Sequence, residues 1–185
     1  PVALRWSRRH ATLRGVNLGG WLVQERWLTG SNATLETSCC GAVASPFHAP
    51  GVGAADSEWS LSEALRSANQ TGALLAWRDA WVSRVDLERM ASLGVNSVRV
   101  PFGFWLACPR AGTPYIRGRV LCDLVDVVSL GEGRGLSVVL DLPGACGGRS
   151  GSATAGRLAP EWAPADFDLE ASVDVVRAVA RRYAN

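Results

Sequence analysis

Residues 137–148 read SVVLDLPGACGG, six residues of nearly unbroken apolar character followed by a glycine-rich turn. Ser137–Leu142 has the pattern of a parallel strand covered on both faces, since such a strand has no solvent side toward which to alternate. Upstream, Asn96–Pro101 (NSVRVP) reads as a second strand. Its alternation sets Asn96, Val98 and Val100 on one face and Ser97 and Arg99 on the other. Further back, Arg14–Gly20 (RGVNLGG) reads as a first strand running into Trp21–Glu25.

Helical patterns separate and follow these strands. Leu61–Leu65 is a short helical stretch. Asp79–Leu93 reads as a longer helix that stops at Gly94, where a glycine relieves the strain of a left-handed cap. Val120, Leu124, Val127 and Val128 mark a helix over 120–130. After the third strand, Leu169, Val173, Val176, Ala180 and Tyr183 form one stripe of a last helix. Asp166 or Asp168 caps its start, and arginines stand at its end, where cations suit the helix dipole. Thr29–Asp56, rich in Gly, Ala, Ser and Pro, reads as a long loop.

Three repeats of strand then helix predict a parallel α/β sheet. No glycine fingerprint of the dinucleotide or P-loop type follows any strand, which counts against a doubly wound nucleotide binder. The expected fold is therefore α/β, the N-terminal part, about three βα units, of a (β/α)8 TIM barrel. A whole barrel takes about 250 residues. Residues 1–185 are accordingly expected to form one incomplete barrel domain with a long loop at 29–56. The chain opens on Pro1 with no signal peptide before it, and reads as cut from a longer product.

Composition narrows the function. Hydrophobic residues make up 48% of the chain, enough for one sizeable core and too many for a disordered tail. All 19 basic residues are arginine, and they are scattered among acids, so no basic stripe points to nucleic acid. No apolar run reaches the ~20 residues of a membrane span. The five cysteines (Cys39, Cys40, Cys108, Cys122, Cys146) have no metal-ligand spacing, and no metal or cofactor is expected. Cys146 has no neighbouring histidine to activate it and reads as inert. His10 and His48 both lie outside strand ends. Asn32-Ala33-Thr34 and Asn69-Gln70-Thr71 fit the N-glycosylation pattern.

Three longer motifs carry a resemblance. RGVNLGGWLVQERW at 14–27, LASLGVNSVRVPFGFW at 92–105 and LDLPGACGGRSG at 140–151 together resemble glycoside hydrolase family 5, in its exo-β-1,3-glucanase type. SEWSLSEAL at 57–65 and SVDVVRAVARRYAN at 172–185 follow the same family run, so the resemblance spans most of the chain. It implies a secreted enzyme at the cell wall or outside the cell, cleaving β-glucan. The implied mechanism is retaining: one carboxylic acid protonates the leaving oxygen and a second carboxylate attacks the sugar.

In the family, the acid closes the fourth strand and the nucleophile the seventh. Both are expected beyond these 185 residues, so no catalytic residue is assigned here and the chain alone is expected to be inactive. The resemblance carries over a substrate-binding shell instead. Arg99 matches an active-site arginine at the tip of the second strand, and Glu25 a glutamate that contacts sugar hydroxyls. Trp21, Trp27 and Trp105 are candidate sugar platforms beside their ordinary role as core, and Trp105 is carried with Glu25 and Arg99. Trp59, Trp77, Trp81 and Trp162 read as packing.

The chain also departs from the pattern. Pro143 stands where the family has a histidine, Ala153 and Thr154 replace two sugar-binding polar residues, and Phe104 replaces a tyrosine. A proline can end a parallel strand, so the fold survives these exchanges while the chemistry suffers. Three readings follow. The first is the amino-terminal part of a family 5 β-glucanase; the second is a degenerate, non-catalytic glucan-binding barrel. The third is a truncated product without function, whose open strand edge would aggregate.

Overall fold

The computed structural model describes residues 12–29, 34–37, 41–118, 136–148 and 150–183. Its frame is a parallel three-stranded sheet of β1 (Gly15–Asn17), β4 (Ser97–Gly103) and β5 (Ser137–Gly144), with β4 in the centre. Asn17 stands opposite Arg99, and Arg99 opposite Val139. The three expected strands are thus present, parallel and adjacent. The expected helix at 120–130 lies outside the described residues.

The boundaries of all three strands differ from expectation. β4 and β5 run two residues further, through Pro101 and Pro143 to Gly103 and Gly144. A break in register between Pro101 and Gly103 accommodates the proline in the central strand, where no ladder donor is then required of it. β1 is shorter, because after Asn17 the chain turns, with Gly20 in the left-handed region (φ 71°).

β5 is also less covered than its apolar run predicts. Val138 and Leu140 pack against the core, but Val139 is 50% exposed and Asp141 stands on the same side. One face of the sheet is packed and the other is open. Val98 and Val100 fill the packed face at 0% exposure, each contributing about 1.5–3 kcal/mol by burial.

The stretch expected as one loop holds structure. β2 (Thr34–Thr37) and β3 (Gly41–Ala44) form an antiparallel hairpin against the helix α3 (Thr71–Trp81), after a short helix α1 (Arg26–Thr29). Their residues are too small and mixed to give a clear period of two. α2 (Glu58–Ser67) begins at Ser57, which caps it reciprocally with Ser60.

The helix expected over 79–93 is two helices, α3 (Thr71–Trp81) and α4 (Arg84–Ser92). The break falls at Ser83, whose hydroxyl and backbone pair with Asp86 in a capping box that starts a new helix. Gly94 then ends α4 in the left-handed region (φ 86°), as expected.

β4 continues into α5 (Phe104–Ala107), and the last helix is α6 (Leu169–Tyr183). Asp168 is its cap: Oδ1 accepts from the Ala171 N–H at 2.9 Å, and Asp166 instead serves the turn before it. Most of the expected stripe does not face inward, although Tyr183 at its end packs against the core. Leu169, Val173 and Val176 are exposed, and α6 packs through Ala171, Ser172 and Val175, one row round. Ser172 decides this rotation, since its hydroxyl accepts from the Cys146 N–H beyond β5.

Candidate functional site

The open face of the sheet carries a polar cluster. Arg99 projects from β4 between its neighbours: Nη1 donates to Asn17 Oδ1 at 2.7 Å and Nη2 to Asp141 Oδ2 at 2.6 Å. The side chains of Arg99 and Asp141 remain 46% and 31% exposed, so the pair faces solvent from a rigid base. Arg99 is the third residue of a seven-residue strand rather than its tip.

Glu25 joins this cluster from the segment after β1. It is 9% exposed, and burial raises its carboxyl above the ordinary range. The Gly20 backbone, the Trp27 indole and the Arg99 charge act against burial, each favouring the ionised form. The charge of Arg99 thus reaches Glu25.

Residues 20–25 are held by α2 and α3. Glu58 Oε2 accepts from the Gln24 N–H at 2.7 Å, while Glu58 Oε1 pairs with Arg78 Nη2 at 2.5 Å. Both side chains of that ion pair are essentially buried. The Trp21 indole donates to the Arg78 carbonyl at 2.9 Å, and the Trp77 indole to the Gly20 carbonyl at 3.3 Å. Glu58 and Arg78 thus position the backbone that carries Glu25. Neither stood out in the sequence, since a buried ion pair across two helices leaves no local pattern.

Trp105 stands apart from the polar cluster. It is 0% exposed and stacked on Tyr115, with ring centroids 4.0 Å apart and planes 9° from parallel. Cβ atoms added at Gly103, Gly144 and Gly156 would come within 2.2, 2.6 and 2.3 Å of its ring. The indole is wedged where three glycines leave room, and it offers no face to a sugar. Trp21 is also core. Of the three candidate platforms only Trp27 is open, at 70% exposure, beside Glu25.

Asp141, which the apolar run SVVLDL conceals, proves to be the partner of Arg99. Pro143 is buried in β5. Ala153 and Thr154 lie in a single helical turn after it. Cys146 is 1% exposed, and burial raises its thiol pKa, so the inert thiol form prevails. Among the described residues no cluster of His, Cys, Asp and Glu has the geometry of a metal site, and no helix is long and apolar enough to cross a membrane.

No family model matches the chain. Individual proteins do. It is 35% identical over 174 residues to a probable glucan 1,3-beta-glucosidase A of Aspergillus niger, covering 93% of this chain and 38% of that protein. A probable glucan 1,3-beta-glucosidase of Arthroderma benhamiae is 33% identical over 189 residues, covering all of this chain and 41% of its own length. A crystal structure named AoRut superposes with a TM-score of 0.72 at 25% identity, over 94% of this chain and 44% of that one.

The chain is related to proteins named glucan 1,3-beta-glucosidase, in keeping with its resemblance to glycoside hydrolase family 5. The fold likeness extends to the rutinosidase from Aspergillus niger, with a TM-score of 0.67 over 91% of this chain and 43% of that one. The chain spans about two fifths of the length of the curated relatives it matches.

Proposed function

We propose that this chain is the opening arc of a (β/α)8 barrel and supplies the sugar-holding wall of a retaining enzyme that cleaves β-1,3-glucan outside the cell. The observation that carries the reading is the grouping of Glu25 with Asn17 beside Gly19, and of Asn17 with Arg99, on the open side of a parallel sheet. A carboxylate accepts from paired sugar hydroxyls, and a fixed guanidinium donates beside it. Trp27 adds an exposed indole next to Glu25, suited to the apolar face of a pyranose. Asn69, exposed and part of one of the two glycosylation triplets, fits an extracellular setting.

On this reading the proton donor and the nucleophile come from later strands, and these 185 residues bind sugar without cutting it. Calorimetric titration with laminaritriose tests the wall: Glu25→Gln and Arg99→Ala are each expected to weaken binding roughly tenfold, the effect of one charged hydrogen bond. Unchanged affinity in both variants would remove the basis of the reading. Laminarin incubated with the purified chain should release no glucose.

A second reading, a glucan-binding barrel without catalysis, is favoured by Pro143. Its ring sits buried in β5 where family 5 has a hydrogen-bonding histidine, so no polar group acts from that position. Joining these residues to a continuation that carries both glutamates separates the two. Glucose release from that protein supports the enzyme, and binding without release supports the module.

A further inference from the structure

We infer that a second sugar site lies outside the C-terminal ends of β4 and β5, in a cavity between Trp59 and Trp162, and that it takes a neutral pyranose. The cavity measures about 440 Å³, within the range of small-molecule sites. Phe104 and Ala145, the residues immediately after β4 and β5, both line it, whereas Glu25 and Arg99 do not. Open α/β sheets place ligands at this end of their strands.

The walls are built rather than incidental. The Trp59 N–H donates to the Gly156 carbonyl at 2.9 Å, and its ring meets Tyr115 edge-on at 5.3 Å. Across the cavity the Trp162 indole N–H donates to the Gly147 carbonyl at 3.1 Å, which fixes the plane of that ring. Among the described residues no ring stacks on Trp162, so a face is left for a ligand.

The charges select the ligand. Of the charged residues lining the cavity, Arg110 is paired with Asp168 at 2.9 Å and Asp166 accepts from the Ala163 N–H. Arg157 and Glu161 are exposed, and among the described residues neither has an ion-pair partner. The Arg157 guanidinium lies 4.4 Å from the Trp59 ring. A guanidinium held over Trp59, a carboxylate without an ion-pair partner among the described residues and the Trp162 indole suit hydroxyls on an uncharged ring. An anion would meet Glu161 and a cation Arg157. The choice of a glucan unit over other neutral rings rests on the function proposed above.

Indole signals separate the two sites. In the nitrogen-15-labelled chain, the Trp27 N–H reports Glu25 and the Trp162 N–H reports the cavity. Titration with laminaritriose should move both signals. Glu25→Gln should abolish the Trp27 response and leave that of Trp162. Arg157→Gln or Glu161→Gln, both surface changes that spare the fold, should weaken the Trp162 response at least about fivefold. Trp162→Phe should retain part of the binding, judged by the remaining indole signals.

No Trp162 shift at about 10 mM trisaccharide would overturn the second site. So would loss of that shift in Glu25→Gln, or tighter binding of glucuronic acid than of glucose. If Trp27 responds and Trp162 does not, the cavity assignment fails and the Glu25–Arg99 reading stands. If Trp162 alone responds, the reverse holds.

Discussion

Arg99 and Asp141 lie on adjacent parallel strands, and the 2.6 Å contact between them sets the guanidinium in a fixed plane on the open face of the sheet. Asn17, from the strand on the other side, completes the clamp at 2.7 Å. Each partner fixes one terminal nitrogen, so Arg99 keeps part of its donor fork toward solvent. A side chain locked by its neighbours loses little freedom when a ligand arrives, and this preorganisation favours binding.

The same pair should matter little for folding. Both side chains are about a third to a half exposed, and ion pairs of that kind contribute about 0.2–1 kcal/mol. Arg99→Ala is therefore expected to lower unfolding free energy by less than about 1 kcal/mol while weakening laminaritriose. Urea unfolding checks the first half. A loss above about 3 kcal/mol would place Arg99 in the framework rather than the site.

Glu58 and Arg78 should behave in the opposite way. Their ion pair is buried, and it also carries the Gln24 N–H, the Ile116 carbonyl and hence two loops. Removing one partner strands the other charge, at a cost of about 3–5 kcal/mol. Glu58→Ala and Arg78→Ala are each expected to show that loss in urea unfolding, and Glu58→Gln a smaller one. The double variant Glu58→Leu with Arg78→Met should be more stable than either single alanine variant, because no unpaired charge remains.

These two pairs show what was readable from the sequence. The strand cores at Val98–Val100 and Val138–Leu140 announce themselves, because burial between layers leaves an apolar signature that periodicity detects. Glu25 and Arg99 were reachable through their motifs. Asp141 was hidden by the apolar run around it, and Glu58 by a helix that looks ordinary one residue at a time. The split between α3 and α4 was written in Ser83 and Asp86, but an unbroken apolar row across Trp81 and Leu87 masked it. Trp105 was misplaced for a related reason, since an indole in a core and an indole under a sugar look the same until the three glycines around it converge.

Glu25 also sets a pH dependence. Its carboxyl pKa is raised in the folded chain, chiefly by burial, so the folded state holds a proton more tightly than the unfolded state. Between the ordinary carboxylate pKa and the raised value, the folded chain binds more protons. Stability contributed by this group is therefore complete below the ordinary value and falls as pH rises through the raised one. Replacing Glu25 with Gln should flatten that part of the stability curve. Urea midpoints of the two proteins across pH 4 to 8, with carbon-13 titration of the Glu25 carboxyl, check it. A carboxyl titrating below its ordinary value would reverse the sign and refute the burial argument.

The packing around Trp105 gives the last prediction. A methyl at Gly144 would lie 2.6–2.7 Å from the indole and 2.9 Å from the Gly103 Cα. The indole is fully buried and stacked on Tyr115, so it has nowhere to turn, and the strand backbone on the other side is held by the ladder. Overpacking of this kind costs about 1–3 kcal/mol. Gly144→Ala should therefore destabilise the chain by that amount in urea unfolding. Gly72, exposed in α3 with nothing within 4 Å of an added Cβ, supplies the contrast. Gly72→Ala should stabilise by about 0.4–1 kcal/mol, since alanine costs less order in a helix. In a Trp105→Leu background the Gly144→Ala cost should shrink, because the methyl then fills space that the smaller side chain vacates. Equal costs in both backgrounds would mean that the indole is not what the glycines accommodate.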